Sequence, residues 1–140
     1  MVFVACSVLA GRKISILGDT CNARPALDLI KDSDVLVHEC TLASFPEDGT
    51  FTQKDALATS AEKNMAATAA KRGHSTPIMV GKFAKEANCQ QLLLNHFGSN
   101  IMKGQEFKYV KKRVSKMSGL ALGKVVTAVD GLVVDLGGGS

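Results

Sequence analysis

Four residues have the types and positions to do chemistry: Asp19 in Gly18-Asp19-Thr20, Glu39 in His38-Glu39-Cys40-Thr41, His74 in Gly73-His74-Ser75-Thr76, and His96 in Asn95-His96-Phe97. Each follows an apolar run or precedes a helix start, where loops gather functional groups at one edge of a sheet. All three histidines of the protein lie in these motifs. A carboxylate such as Asp19 can bridge two divalent cations, and an imidazole such as His96 can ligate one. His74, just before a helix start, can serve as a general acid if a carboxylate orients it, and Glu39 is the candidate partner. Taken singly, each residue also has a plainer reading. Asp19 could cap a turn or helix, His96 could be half-buried and bonded to backbone, and His74 could be a loop residue. His38 reads as structural.

The elements that must position these groups are legible from the pattern. Residues 2–9 and 13–17 are strand-like, the second ending abruptly at Gly18-Asp19. Pro25 suits the first turn of a helix whose apolar face is Ala26, Leu27, Leu29 and Ile30. Asp34–Val37 is a short β-branched run of the kind buried in parallel sheets, which completes a β-α-β unit. Residues 42–52 read as loop, and 53–72, rich in Ala, Lys, Glu and Met, as helix stopped by Gly73. Thr76-Pro77 predicts a helix start with the hydroxyl as cap; Met79, Val80, Phe83 and Ala84 then face inward as far as Ala87. Residues 91–94 are the next strand and 105–117 a basic helix. A closing hairpin pairs 125–128 with 132–136 around Asp130-Gly131. The tail 137–140 reads as a flexible end.

At 140 residues the chain fits one domain, and 46% hydrophobic against 21% charged residues makes it globular rather than disordered. Without Trp and with one Tyr, it lacks aromatic platforms for base stacking. Its net charge of +4 is compatible with a nucleic-acid partner without pointing to one. The cysteines Cys6, Cys21, Cys40 and Cys89 form no CxxC pair and predict reduced thiols in an intracellular protein, with no targeting signal to choose cytoplasm, nucleus or organelle. The apolar opening lacks a basic n-region and reads as a strand, and no run is long enough to span a bilayer. In the basic helix, Lys103, Lys108, Lys111, Lys112, Arg113 and Lys116 face one nearby acid, Glu106. That surface could meet RNA phosphates or be merely a solvated face.

In their order and spacing the motifs resemble the C-terminal half of the tRNA 3′-processing endonucleases (tRNase Z) of the metallo-β-lactamase superfamily. That family runs Gly-Asp-Thr, His-Glu-Ala-Thr, His-Ser-Thr and a last His-Phe/Ile-Ser, with a Gly-x-Phe-Ala-Lys stretch that here is Gly81-Lys82-Phe83-Ala84-Lys85. The resemblance covers about residues 11–100. Cys40 stands where the family has Ala, Gly98-Ser99-Asn100 replaces a Ser-x-Arg-Tyr that often follows the last histidine, and an insertion is expected at 45–60. The family's main metal-binding run, His-x-His-x-Asp-His, belongs to its other half and is not in this sequence.

The resemblance implies an α/β fold: one half of an α/β/β/α sandwich, a mixed sheet covered by helices on one face, with residues 1–140 forming a single half-domain. It implies that Asp19 and His96 are ligands of a two-zinc site left incomplete by this chain, and that His74 and Glu39 protonate the leaving 3′ oxygen of a tRNA precursor. Lys108, Lys111, Lys112 and Arg113 are then candidate RNA contacts. Activity is expected only when another chain or segment supplies the missing ligands, and the isolated chain should be inactive. An uncovered sheet face would further favour a protein partner or homo-oligomer. The alternative is a catalytically inactive structural subunit of an RNA–protein assembly.

Overall fold

The computed structural model describes residues 4–9, 11–46, 58–102 and 104–136. The chain runs through β1 (Val4–Leu9), β2 (Arg12–Leu17), a 3-10 turn (Arg24–Ala26) leading into α1 (Leu27–Ile30), and β3 (Val35–Glu39). It continues through α2 (Ser60–Lys71), α3 (Pro77–Ala87), β4 (Gln91–Asn95), α4 (Gly104–Ser118), a second 3-10 turn (Leu122–Lys124) and β5 (Val125–Thr127). The five strands form one sheet in the order β1-β2-β3-β4-β5. β1 is antiparallel to β2, and β2 through β5 are mutually parallel. The mixed α/β architecture expected from the sequence is the one observed.

Parallel pairing decides where the chemistry sits. Since β2, β3 and β4 run the same way, their C-terminal ends, followed by Asp19, Cys40 and His96, open at one sheet edge. α3 returns the chain from that edge to the start of β4, so the residues just before Pro77 reach the same place.

The core lies between the sheet and α3 and α4. Leu36, Leu92, Leu94 and Val125 meet Val80, Phe83, Ala84 and Ala87 of α3 and Val110 and Val114 of α4. Gly81 lets those helices approach: a Cβ there would lie 2.5 Å from Met117 Cβ and 3.0 Å from the Val114 carbonyl oxygen. On the opposite sheet face the register aligns Ile16, Val37, Leu93 and Val126 across four strands. Ile16 in this apolar row is 46% exposed, and the other three are half-buried.

α2 is defined at both ends by local chemistry. Thr59 and Glu62 form a capping box: the Glu62 N–H donates to Thr59 Oγ1 at 3.1 Å and the Thr59 N–H to Glu62 Oε2 at 2.8 Å. At the C-terminus the His74 N–H donates to the Ala69 carbonyl and the Gly73 N–H to that of Ala70, a Schellman motif requiring the left-handed φ of +76° at Gly73. The glycine stop expected from the sequence is therefore also what fixes the backbone entering His74.

Several expectations need correcting. Among the described residues no closing hairpin forms: β5 pairs in parallel with β4, and residues 132–136 form no strand. The open edge of β4 captures Val125–Thr127, leaving Leu132 and Val133 exposed. Thr76 precedes Pro77 as expected, but its buried hydroxyl has no hydrogen-bond partner, so it caps α3 by conformation alone. Leu29 is 53% exposed; in so short a helix only Ile30 is fully buried. The expected start of a helix at 53 and most of the expected insertion at 45–60 lie outside the described residues, as does Lys103.

Arg113 is not on the exposed cationic face of α4 where an RNA contact was expected. It is buried, with Nε 2.7 Å from Glu62 Oε1 and Nη2 2.9 Å from Oε2, and Tyr109 donates to Glu62 Oε1 at 3.0 Å. Burial works to raise the Glu62 pKa, but hydrogen bonds led by that from Arg113 outweigh it and hold the group below its ordinary value. Burial first, then the charge of Glu62, push Tyr109 up to about 12. Helical spacing explains the error. Tyr109, Val110, Arg113 and Val114 share the inward face of α4, while Lys108, Lys112 and Lys116 remain exposed and Lys111 half-buried.

Candidate metal centre

Four loops converge at the C-terminal edge of the sheet, and hydrogen bonds fix them to one another. The Cys40 N–H donates to the Asn95 carbonyl, Gly98 N–H to that of Thr41, and Leu42 N–H to that of Ser75. The Ser75 hydroxyl donates to the Thr20 carbonyl. Gly98 is needed for this closure, because a Cβ there would lie 2.4 Å from the Thr41 carbonyl oxygen. The result holds side chains from residues 19, 39, 41, 74 and 96 in one place.

His96 Nδ1 lies 2.9 Å from Asp19 Oδ1, both side chains being about half exposed. Asp19, His74 and His96 each offer one ligand atom, and these atoms lie within 4.8 Å of one another. The His74 and His96 ring centroids are 5.4 Å apart. His96 adopts a left-handed φ of +53°, uncommon for a residue with a side chain and a conformation that clusters at functional sites. Behind this open group Glu39 is 1% exposed, with Oε2 4.0 Å from His74 Nδ1. Glu39 Oε2 accepts from both the Thr41 N–H at 2.9 Å and the Thr41 hydroxyl at 2.6 Å, whereas its buried Oε1 has no partner.

His38 takes no part in this arrangement. Its side chain lies on the helix-covered sheet face, its ring edge-on to Phe83 at 5.7 Å, and Nδ1–H donates to the Glu39 carbonyl at 2.7 Å. Burial lowers its pKa to about 4, against an opposing pull from that hydrogen bond. It is a neutral core histidine, as read from the sequence. Burial, and secondarily the charge of Glu39, push the Cys40 thiol far above its usual range, so it is inert filler at the base of the site.

All four sequence-predicted site residues thus meet at one edge. The donor set of one carboxylate oxygen and two imidazole nitrogens suits a borderline divalent cation. The sequence reading missed Thr41, although it stands in the motif that singled out Glu39. Its hydroxyl reaches Glu39, His74 and His96 together.

Comparison with known proteins bears on the family and the fold. The chain is 37% identical over 89 residues to ribonuclease BN of Cronobacter sakazakii, a match covering 64% of this chain and 23% of that protein. It is 31% identical over 102 residues to ribonuclease Z of Streptococcus pyogenes, covering 73% of this chain and 26% of that one. Among solved structures, the short form of human tRNase Z superposes with a TM-score of 0.56 at 26% identity, over 91% of this chain and 34% of the other. This chain is a ribonuclease Z relative with a metallo-β-lactamase-type fold. The metallo-β-lactamase fold protein YhfI of Bacillus subtilis, at 14% identity, matches in fold with a TM-score of 0.62 over 94% of this chain and 47% of its own. No family model matches. The ribonuclease Z-like chain spans about a quarter of the length of the curated relatives it matches.

Proposed function

We propose that this chain contributes one part of a zinc-dependent tRNase Z-type endoribonuclease that processes the 3′ ends of tRNA precursors. The observation that carries the proposal is the convergence of Asp19, His74 and His96 in front of buried Glu39. Asp19 and His96 would hold zinc; when bound, the metal supplies Lewis-acid stabilisation of charge developing on the phosphodiester. His74 would donate a proton to the leaving 3′ oxygen, kept in place by Glu39 and Thr41. Lys108, Lys111 and Lys112, on the accessible side of α4, would meet tRNA phosphates.

Asp19 and His96 alone do not make a tight zinc site, which takes three or four protein ligands. We therefore place activity in a domain completed by another chain or segment carrying the His-x-His-x-Asp-His ligands. The row Ile16, Val37, Leu93 and Val126 offers an apolar face for that second half, or for another copy of the chain. An intracellular setting suits the cysteines, all of them free thiols.

The test is cleavage of a 3′-extended tRNA by the completed domain. Asp19→Ala and His96→Ala should abolish it together with metal content. His74→Ala should keep the metal and lower turnover about 10²–10⁴-fold, with Glu39→Gln milder. If His74→Ala loses zinc as fully as Asp19→Ala, His74 is a ligand rather than the acid. Cleavage unchanged in all four variants would leave this chain a structural subunit of an RNA–protein assembly.

A further inference from the structure

We infer that the Thr41 hydroxyl is a positioning relay: it links Glu39 to His74 and holds the proton of the neutral His74 ring on Nδ1. Thr41 Oγ1 has four polar neighbours. Glu39 Oε2 is at 2.6 Å, the His96 carbonyl oxygen at 2.9 Å, and the Nδ1 atoms of His74 and His96 are both at 3.3 Å. The hydroxyl has one proton for all of them. The carboxylate is both the nearest acceptor and the charged one, and 2.6 Å is the length of a charge-assisted O–H···O⁻ bond. The proton therefore goes to Glu39, and Oγ1 turns lone pairs to the two rings.

A ring nitrogen facing a lone pair must carry the hydrogen. His96 Nδ1–H has a closer acceptor in Asp19 Oδ1 at 2.9 Å, and a carboxylate can only accept. That leaves Oγ1 to His74. Glu39 and His74 are themselves 4.0 Å apart, too far for a direct hydrogen bond, so the hydroxyl bridges a gap the pair cannot close. An unconstrained neutral histidine side chain in water favours the proton on Nε2. Thr41 would reverse that preference and leave the His74 Nε2 lone pair available, for a transferable proton or for a metal.

The local build suits a fixed relay. The Thr41 N–H donates to the same Glu39 oxygen at 2.9 Å, and its carbonyl accepts from the Gly98 N–H. Its γ-methyl lies 3.5 Å from where a Gly98 Cβ would stand, in keeping with the restricted χ1 of a β-branched residue. The relay matters for cleavage only if the site works as proposed, but the tautomer can be read without any cleavage.

The experiment is long-range 1H–15N correlation NMR on the metal-free, 15N-histidine-labelled chain at mildly alkaline pH. With three histidines, His96→Asn assigns the spectrum, and His38, bonded through Nδ1–H to a backbone carbonyl, is an internal standard. Wild type should show His74 as the Nδ1–H tautomer. Thr41→Val, equal in shape but without the hydroxyl, should move it toward Nε2–H, and Thr41→Ser should restore Nδ1–H. A wild-type His74 protonated on Nε2 overturns the relay without any variant; so does a folded Thr41→Val with an unchanged His74 tautomer. In the completed domain, Thr41→Val should lower kcat roughly 10–100-fold with little change in KM, and Thr41→Ser should recover it. If the tautomers behave as stated but no site variant alters cleavage, the relay stands and the catalytic reading falls.

Discussion

Substituting His38 tests whether the core under the site tolerates a proton. In the folded chain burial holds its pKa at about 4, whereas in the unfolded chain it returns to about 6.5. A pKa depressed on folding means the unfolded state takes up the proton first as pH falls. The stability at issue is fully present above about 6.5 and is lost as pH falls from there toward about 4. Over the whole interval the loss approaches ~3 kcal/mol, and by pH 5 it is already ~2 kcal/mol. That is a large part of the stability of a small domain. The assay is urea unfolding of wild type and His38→Leu at pH 7 and pH 5, at one protein concentration. His38→Leu will lower stability at pH 7, since the hydrogen bond to the Glu39 carbonyl and the contact with Phe83 go with the ring. Its pH 7 to pH 5 decrement should nevertheless be smaller than that of wild type by ~2 kcal/mol. Asp34 and Glu62, whose carboxyls lie below their ordinary values, add acid sensitivity at lower pH and cancel in the difference. Equal decrements in the two proteins would show that His38 titrates normally in the folded state and is not sealed in the core.

Arg113→Met should destabilise the chain by about 3–5 kcal/mol, because it leaves the Glu62 carboxylate buried without its countercharge, while the double variant Glu62→Met/Arg113→Met should recover only part of that loss, since the capping box and the Tyr109 bond go with Glu62. Thermal melts check both, and an unaffected single variant would mean the pair is solvated. Gly98→Ala places a Cβ against the Thr41 carbonyl oxygen and should cost about 1–3 kcal/mol, with NMR shifts at His96 and Thr41; unchanged spectra would refute the close approach. The isolated chain should bind zinc far more weakly than a closed four-ligand site, and equilibrium dialysis finding two tightly held ions per chain would contradict the proposed division of ligands.

The ends of secondary structure were readable where a single residue dictates them. Gly73 marks a helix stop because glycine readily takes the left-handed φ needed there, and Pro77 a helix start because its fixed φ suits the first turn. The Thr59-Ser60-Ala61-Glu62 capping box was equally legible and was passed over, since the alanine-rich run obscured where α2 begins. The closing hairpin failed for a different reason. Asp130-Gly131 does form a turn, but whether Val125–Thr127 pairs forward with 132–136 or sideways with β4 depends on an open strand edge that no local signal reports. Arg113 failed through periodicity, because a run of cations gives no sign of which one turns inward to a buried acid.

The site was legible to a different depth. Asp19, Glu39, His74 and His96 could be placed at one edge because the strands before three of them are parallel and α3 returns the fourth. Topology puts side chains in the same neighbourhood but does not order them. The order depends on fractions of an ångström: 2.9 Å between His96 and Asp19 against 4.0 Å between His74 and Glu39. The first contact is direct and accessible to a cation; the second has a hydroxyl between its members and is closed off from behind. That difference is the ground for proposing Asp19 and His96 as ligands and His74 as proton donor, since a ligand must be reachable by the ion and a donor must be oriented by something that does not move. Thr41 is therefore the residue on which the assignment turns.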